Sequence, residues 1–233
     1  MVVTQCNSFY KKKFKIMLKS QDQSDGPLDL WYLSLITCVT SPDGQDVFTT
    51  SLHHAFDRLH PHFELQQRED FCGIACVAIL LNSLLPSSKW TQSDLYSTIA
   101  HAHMSDGISL AALSHILTTF GLPPVIRYSD EERFEEKFLQ DIKNPHHFVV
   151  VNYWRQFEWP TKDLPLRCGH FSLVAAYNEV TNRILILDTS DSIRPYHWLD
   201  LQHLMRMMCT RDDTAAMPRG YLIVVDPKFE SEK

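Results

Sequence analysis

No run of apolar residues in this chain is long enough to cross a bilayer. Basic residues are not in excess. The formal net charge is −6 at pH 7, so no global positive field draws the chain to nucleic acid or to an acidic membrane surface. A CxxC pair is missing as well. The cysteines, Cys6, Cys38, Cys72, Cys76, Cys168 and Cys209, are scattered, and no partner set at metal-ligand spacing accompanies the i, i+4 pair Cys72 and Cys76. Such spacing implies neither a disulfide framework nor a zinc module, and reduced thiols are the expectation. Residues 1–20 lack a secretory core: Lys11-Lys12-Lys13 is basic, but Phe14-Lys15-Ile16-Met17-Leu18-Lys19 is too short and too charged. Internal repeats and low-complexity tracts are absent. The residues point to a protein of the cytosol, with signal-independent export as the alternative.

What is present is apolar material, 44% of 233 residues, sufficient for one domain with a sizeable core. Residues 1–26 read as a polar, basic, flexible extension, 27–228 as the domain and 229–233 as a frayed tail. The first half is helical in pattern. Leu28 to Val39 is a lead-in strand or turn, and Ser41-Pro42-Asp43-Gly44 is a turn signal. Val47, Phe48, Leu52, Phe56 and Leu59 have helical spacing, which predicts one amphipathic helix over 46–59. Further helices are predicted over 91–100, from Asp106-Gly107 to a Gly121 cap, and over 130–143, with a short strand over 125–128. The period then changes. Residues 147–153, 170–177 and 183–187 read as strands, the last two as a hairpin, with 154–167 a loop. A helix over 198–208 and a strand over 221–225 follow. Helices first and an antiparallel sheet second predict an α+β domain.

One stretch carries the chemistry. A polar segment, Gln66 to Asp70, stops at Phe71-Cys72-Gly73-Ile74-Ala75-Cys76, and apolar residues follow for about three turns. That pattern puts Cys72 in the first turn of a buried helix, where free N–H groups and the helix dipole favour a thiolate. Cys76, one turn deeper, is expected to be inert core. A cysteine nucleophile needs a base, and the base needs an orienting partner. His170 begins a predicted strand and Asp188 ends its hairpin partner, so the two fall within side-chain reach. Gln66 is the candidate oxyanion donor with the Cys72 backbone N–H, and Gln67 competes for that role. The order Cys, His, Asp is that of papain-like enzymes, which predicts a papain-like fold with the nucleophile at a helix N-terminus and an antiparallel sheet behind it.

Over about Leu28 to Val225 the chain resembles the phytochelatin synthases, papain-like γ-glutamylcysteine dipeptidyltransferases. The resemblance rests on Gly44-Gln45-Asp46-Val47-Phe48, on Gln66 with Phe71-Cys72-Gly73-Ile74-Ala75, on Leu81-Asn82, Trp90 and Gly107-Ile108-Ser109. It continues through Val151-Asn152-Tyr153-Trp154-Arg155, Gly169-His170-Phe171-Ser172, Ala176-Tyr177-Asn178, Leu185-Ile186-Leu187-Asp188, Trp198, Asp212 and Arg219-Gly220-Tyr221. It implies Cys72 as nucleophile, His170 as general acid/base, Asp188 as orienter and Gln66 in the oxyanion hole. It also implies glutathione or a related γ-glutamyl thiol as substrate, with Asp212 and Arg219 holding the amino and carboxylate ends of the γ-glutamyl group. No firmly bound cofactor is implied; heavy-metal ions such as Cd²⁺ or Zn²⁺ enter as thiolate complexes of the substrate. No nucleic acid or membrane partner is expected, and the resemblance allows a homodimer.

Two departures stand out. Asp191 occupies the position of a family arginine, with Arg194 the nearest one, and an acid there repels a glutathione carboxylate. That favours hydrolysis or another γ-glutamyl or peptide substrate over transpeptidation. Nothing after the last predicted strand matches the Cys-rich C-terminal domain of the plant members, so a short form is expected. The alternative is a peptidase similar to the bacteriocin-processing domains of ABC exporters, which share Gln…Cys-Gly-x-Ala with a later His and Asp. The long interval from Cys72 to His170 and the Asp212…Arg219-Gly220-Tyr221 ending argue against it. A thiol or metal-binding module is weaker, because His101, His103, His146 and His147 do not converge with cysteines at any recognised spacing.

Overall fold

A computed structural model describes residues 36–38, 41–85, 87, 89–104, 107–157, 166–190, 196–213 and 215–230. The expected extension over 1–26, the end of the chain over 231–233, Asp191 and Arg194 lie outside the described residues.

The described residues open with strand β1 (Ile36–Cys38) and helix α1 (Pro42–Thr49). The expected turn at 41–44 is the start of α1. Ser41 caps it through a bond from the Gly44 N–H, and Pro42 sits in the first turn, where its missing N–H costs nothing. The single helix expected over 46–59 is likewise two, α1 and α2 (His54–Leu59). Between them Leu52 exchanges backbone bonds with Tyr177, which a continuous helix would forbid. A short 3₁₀ turn, His60–His62, leads to the loop before α3 (Cys72–Leu84). Then come α4 (Gln92–Thr98), with a Thr91–Asp94 capping box, and α5 (Leu110–Thr119), capped by Ser109. Strand β2 (Val125–Tyr128) and α6 (Phe134–Lys143) complete the first half.

The second half supplies β3 (His147–Phe157), β4 (Leu166–Asn178), β5 (Arg183–Leu187), β6 (Tyr196–Asp200) and α7 (Leu201–Met208). The short pair β7 (Arg211–Asp212) and β8 (Met217–Pro218), strand β9 (Gly220–Val225) and α8 (Pro227–Glu230) follow. Two expectations need correction here. Part of the expected 154–167 loop is strand, because β3 and β4 stay paired out to Phe157 and Leu166. The expected helix over 198–208 starts only at Leu201. Tyr196 to Asp200 pairs with β5 instead, and Asp200 then caps α7 by accepting the His203 N–H.

Among the described residues the main sheet runs β1-β6-β5-β4-β3-β9-β2, with every neighbouring pair antiparallel. The domain is thus α+β, with the helices on both faces. Successive strand side chains point to opposite faces. Val150, Leu173, Leu185 and Leu222 pack against α1, α2, α3 and α5. Val149, Val151, Tyr153, Ile184, Ile186 and Ile223 pack against Phe134, Phe138 and Ile142 of α6 and Leu204, Met205 and Met208 of α7. Burial on both sides accounts for the unbroken apolar runs of β3 and β5. Apart from Asn82 and Ser83, helix α3 is buried, and each of Ile74, Ile79, Leu80 and Leu84 contributes roughly 1.5–3 kcal/mol by leaving water. Strand β9 slots between β2 and β3, and there a Cβ on Gly220 would stand 1.9 Å from the Arg127 carbonyl oxygen.

Candidate active site

Helix α3 presents Cys72 at its first position, with Phe71 as an N-cap that offers no side-chain bond. The first-turn N–H groups are therefore not consumed by a capping side chain. The Cys72 thiol lies against the backbone N–H of Phe171 on β4, the residue after His170, and against the Gly73 N–H. Burial pushes the thiol up from its ordinary pKa, while the Phe171 N–H and the Arg155 charge partly offset that. Cys76 is fully buried and its thiol is pushed up well beyond the ordinary range by desolvation, which leaves it chemically silent.

His170 and Asp188 meet at the open end of the β4–β5 hairpin, away from its turn. His170 Nε2 lies 2.7 Å from Asp188 Oδ1, with both side chains almost wholly buried. Burial alone would raise the Asp188 pKa, but the charges of His170 and Arg155 and the His170 bond hold it well below the usual carboxylate range. An ionised carboxylate can only accept, so Nε2 carries the proton and Nδ1 bears the lone pair. Burial and the Arg155 charge lower the His170 pKa from 6.5 to about 4 against the pull of Asp188, so the ring is neutral at pH 7. Asp188 is held from further sides as well. Arg155 Nη1 donates to it at 3.1 Å, the Tyr153 hydroxyl at 3.3 Å and the Ser190 N–H at 2.9 Å. Tyr153 in turn bonds Ser172 Oγ at 3.0 Å.

Asp212 and Arg219 also come together. Arg219 Nη1 lies 3.5 Å from Asp212 Oδ2 and donates to Asn152 Oδ1 at 2.6 Å, and the guanidinium sits 5.3 Å over the Trp154 ring. The side chain is only 4% exposed, and its Nε is buried without a hydrogen-bond partner among the described residues. Burial lowers its pKa, and the Asp212 and Asp213 carboxylates counter the effect. Gly169 makes the room. A Cβ there would lie 2.5 Å from Arg219 Nη1 and 3.0 Å from Cζ. Cys72, Asn152, Trp154, Cys168, Asp212 and Arg219 all open onto one cleft of about 730 Å³.

Gln66 does not line that cleft. Its backbone N–H donates to the Thr189 carbonyl at 2.7 Å, which ties the loop before α3 to the turn after Asp188. Its side-chain amide donates to the Arg68 and Glu69 carbonyls at 2.9 and 2.8 Å, so both amide protons are committed to the loop. Gln67 lies farther out, its amide oxygen bonded to Ser93. Among the described residues no group of three or more His, Cys, Asp or Glu side chains could hold a metal ion. Sequence reasoning missed Arg155, Tyr153 and Asn152 as site residues. The available signal was alternation: Tyr153 and Arg155 share one face of β3, and a buried arginine on a strand demands an acidic partner.

A sequence model of the family described as phytochelatin synthase matches residues 33–221. Among curated relatives, a Schizosaccharomyces pombe protein named glutathione gamma-glutamylcysteinyltransferase is 28% identical over 201 residues, covering 78% of this chain and 47% of its own. A Lotus japonicus protein named glutathione gamma-glutamylcysteinyltransferase 3 is 24% identical over 202 residues, covering 79% of this chain and 41% of its own. The chain thus spans less than half the length of these relatives.

Proposed function

The chain belongs to the phytochelatin synthase family, and from that premise we propose that it is a papain-like thiol enzyme acting on glutathione. Cys72 is the nucleophile, His170 the general acid/base and Asp188 the residue that orients the imidazole. The sulfur attacks the carbonyl carbon of the Cys–Gly amide, and its proton passes to His170 Nδ1. His170 then returns that proton to the glycine nitrogen as the C–N bond breaks. Glycine leaves, and γ-glutamylcysteine remains as a thioester on Cys72. The α-amino group of a second glutathione, or water, takes the acyl group and frees the thiol. A neutral thiol beside a neutral imidazole suits this order of events, since the proton moves during attack rather than before it.

Arg219 and Asp212 hold the α-carboxylate and α-ammonium of the γ-glutamyl group, for which a guanidinium fork and a carboxylate are the matching partners. Gln66 joins the Cys72 N–H as oxyanion donor, and to do so it exchanges one of its loop carbonyls for the developing oxyanion. Cd²⁺ or Zn²⁺ arrives as a thiolate complex of the substrate. Asp191 at the family's arginine position favours water over a second glutathione as acceptor. The observation that carries the reading is the buried His170–Asp188 bond at 2.7 Å on a strand whose next residue, Phe171, meets the helix-terminal thiol. Incubation of the pure protein with glutathione, with and without Cd²⁺ or Zn²⁺, tests it by product mass. Glycine with γ-glutamylcysteine or its oligomers is expected, and nothing from Cys72→Ala. Glycine release that survives Cys72→Ala would sink the assignment.

A further inference from the structure

The proposed reaction uses one thiol, yet the cleft holds two. Cys168 lies on β4 two residues before His170, opens onto the same cleft as Cys72 and is partly exposed. Arg219 lines that cleft with it. Arg219 lies against Gly169, the residue after Cys168, and its buried Nε has no hydrogen-bond partner among the described residues. A guanidinium there stabilises the negative charge that spreads over three sulfurs during thiol–disulfide exchange. The guanidinium also lines the cleft, where an anionic ligand group can meet it. The other described thiols compete poorly. Cys76 is sealed in the core, Cys72 opens onto the cleft but is buried and already serves as the acyl-transfer nucleophile, and Cys209 is exposed but does not line the cleft.

We propose that Cys168 is a modification site that takes a glutathionyl group from glutathione disulfide held by its γ-glutamyl end at Arg219 and Asp212, and that the adduct closes the cleft. This rests on the reading of the cleft as a γ-glutamyl site. The Cys168 thiol gives its proton to solvent, and the thiolate attacks one sulfur of the disulfide. A bond from Cys168 to that sulfur forms as the disulfide's own S–S bond breaks. The departing glutathione thiolate takes up a proton. Cys168 is oxidised, one half of the disulfide is reduced, and no other oxidant is required.

The full chain is exposed to glutathione disulfide and followed by intact mass, peptide mapping and glycine release from glutathione. One glutathionyl group on Cys168 is expected, with a parallel loss of glycine release, both reversed by dithiothreitol. Cys168→Ser takes no adduct there and releases glycine at the same rate before and after exposure. Hydroxyethyl disulfide, which lacks the γ-glutamyl group, labels Cys168 about tenfold more slowly, the worth of one charge-assisted contact, and Arg219→Gln removes the difference. An adduct confined to Cys72 or Cys209, or equal rates with both disulfides, overturns the proposal. Should Arg219→Gln fail to fold, protection decides: saturating S-methylglutathione must slow labelling of Cys168, and labelling at an unchanged rate overturns it. Selective labelling without any glycine release from glutathione defeats the assigned reaction and leaves this site standing; glycine release without labelling does the reverse.

Discussion

At the scale of single residues, His170 is set by what surrounds it. Burial and Arg155 strip it of its proton at neutral pH, while Asp188 fixes which nitrogen keeps the remaining one. The acid limb of kcat/KM therefore belongs near pH 4 rather than near the ordinary imidazole value of 6.5, because only protonation of His170 below that point removes the base. A pH–rate profile of glycine release checks this, and a limb near 6.5 would contradict it. Asp188→Asn takes away the charge that stabilises the imidazolium and the acceptor that fixes the tautomer. The expected result is a kcat lower by about 10²–10⁴-fold in single-turnover kinetics. Gly169→Ala places a methyl group against the Arg219 guanidinium, so KM for glutathione should rise about tenfold with a smaller change in kcat. A variant with unchanged KM would show that Arg219 does not hold the substrate where proposed.

At the scale of elements, the strands that carry the site were legible and their edges were not. The β4–β5 hairpin could be read from Phe171 to Tyr177 and Ile184 to Leu187, and with it came the meeting of His170 and Asp188. Helix α3 and the position of Cys72 were legible from the switch between Asp70 and Phe71 in polarity. The extension of β3 to Phe157 was not, because Trp154, Arg155 and Gln156 look polar and Pro-flanked locally. What keeps Arg155 on a strand is an ion pair with a residue 33 positions away. From Trp198 to Asp200, where β6 still runs, the sequence predicts helix for a similar reason. Trp198, Leu199, Leu201 and Leu204 fit helical spacing, and Tyr196 to Leu199 are buried on both faces, so no alternation marks them as strand. The switch falls at Asp200, whose cap on α7 is a short polar contact. Asp200→Ala should cost about 1 kcal/mol. In a thermal melt that is a Tm lower by about 2–4 °C for a protein of this size.

At the scale of the whole molecule, the catalytic charges also enter stability. His170 has its pKa lowered on folding, so the unfolded chain binds the proton more readily below pH 6.5. Its favourable contribution is complete above 6.5 and is lost as pH falls towards about 4. Asp188, held below the usual carboxylate range, contributes above that range and loses its contribution only in stronger acid. Urea unfolding at pH 7 and pH 5 should show a lower midpoint at pH 5, and His170→Gln should shrink the difference. An equal difference in the variant would assign the effect elsewhere.

The place of β9 in the sheet has a consequence for how the chain is made. It pairs with β3 on one side and with β2 on the other, although some 60 residues and the whole of β4, β5 and β6 separate it from β3 in order of synthesis. A nascent chain that has emerged through β6 already owns Cys72, His170 and Asp188, yet Arg219 is still inside the ribosome. Until β9 arrives, β2 has no neighbour and β3 has an open edge, which is the slowest kind of contact to form. The cleft is therefore completed last, so a growing chain cannot grip glutathione through Arg219 before the rest of the domain is in place.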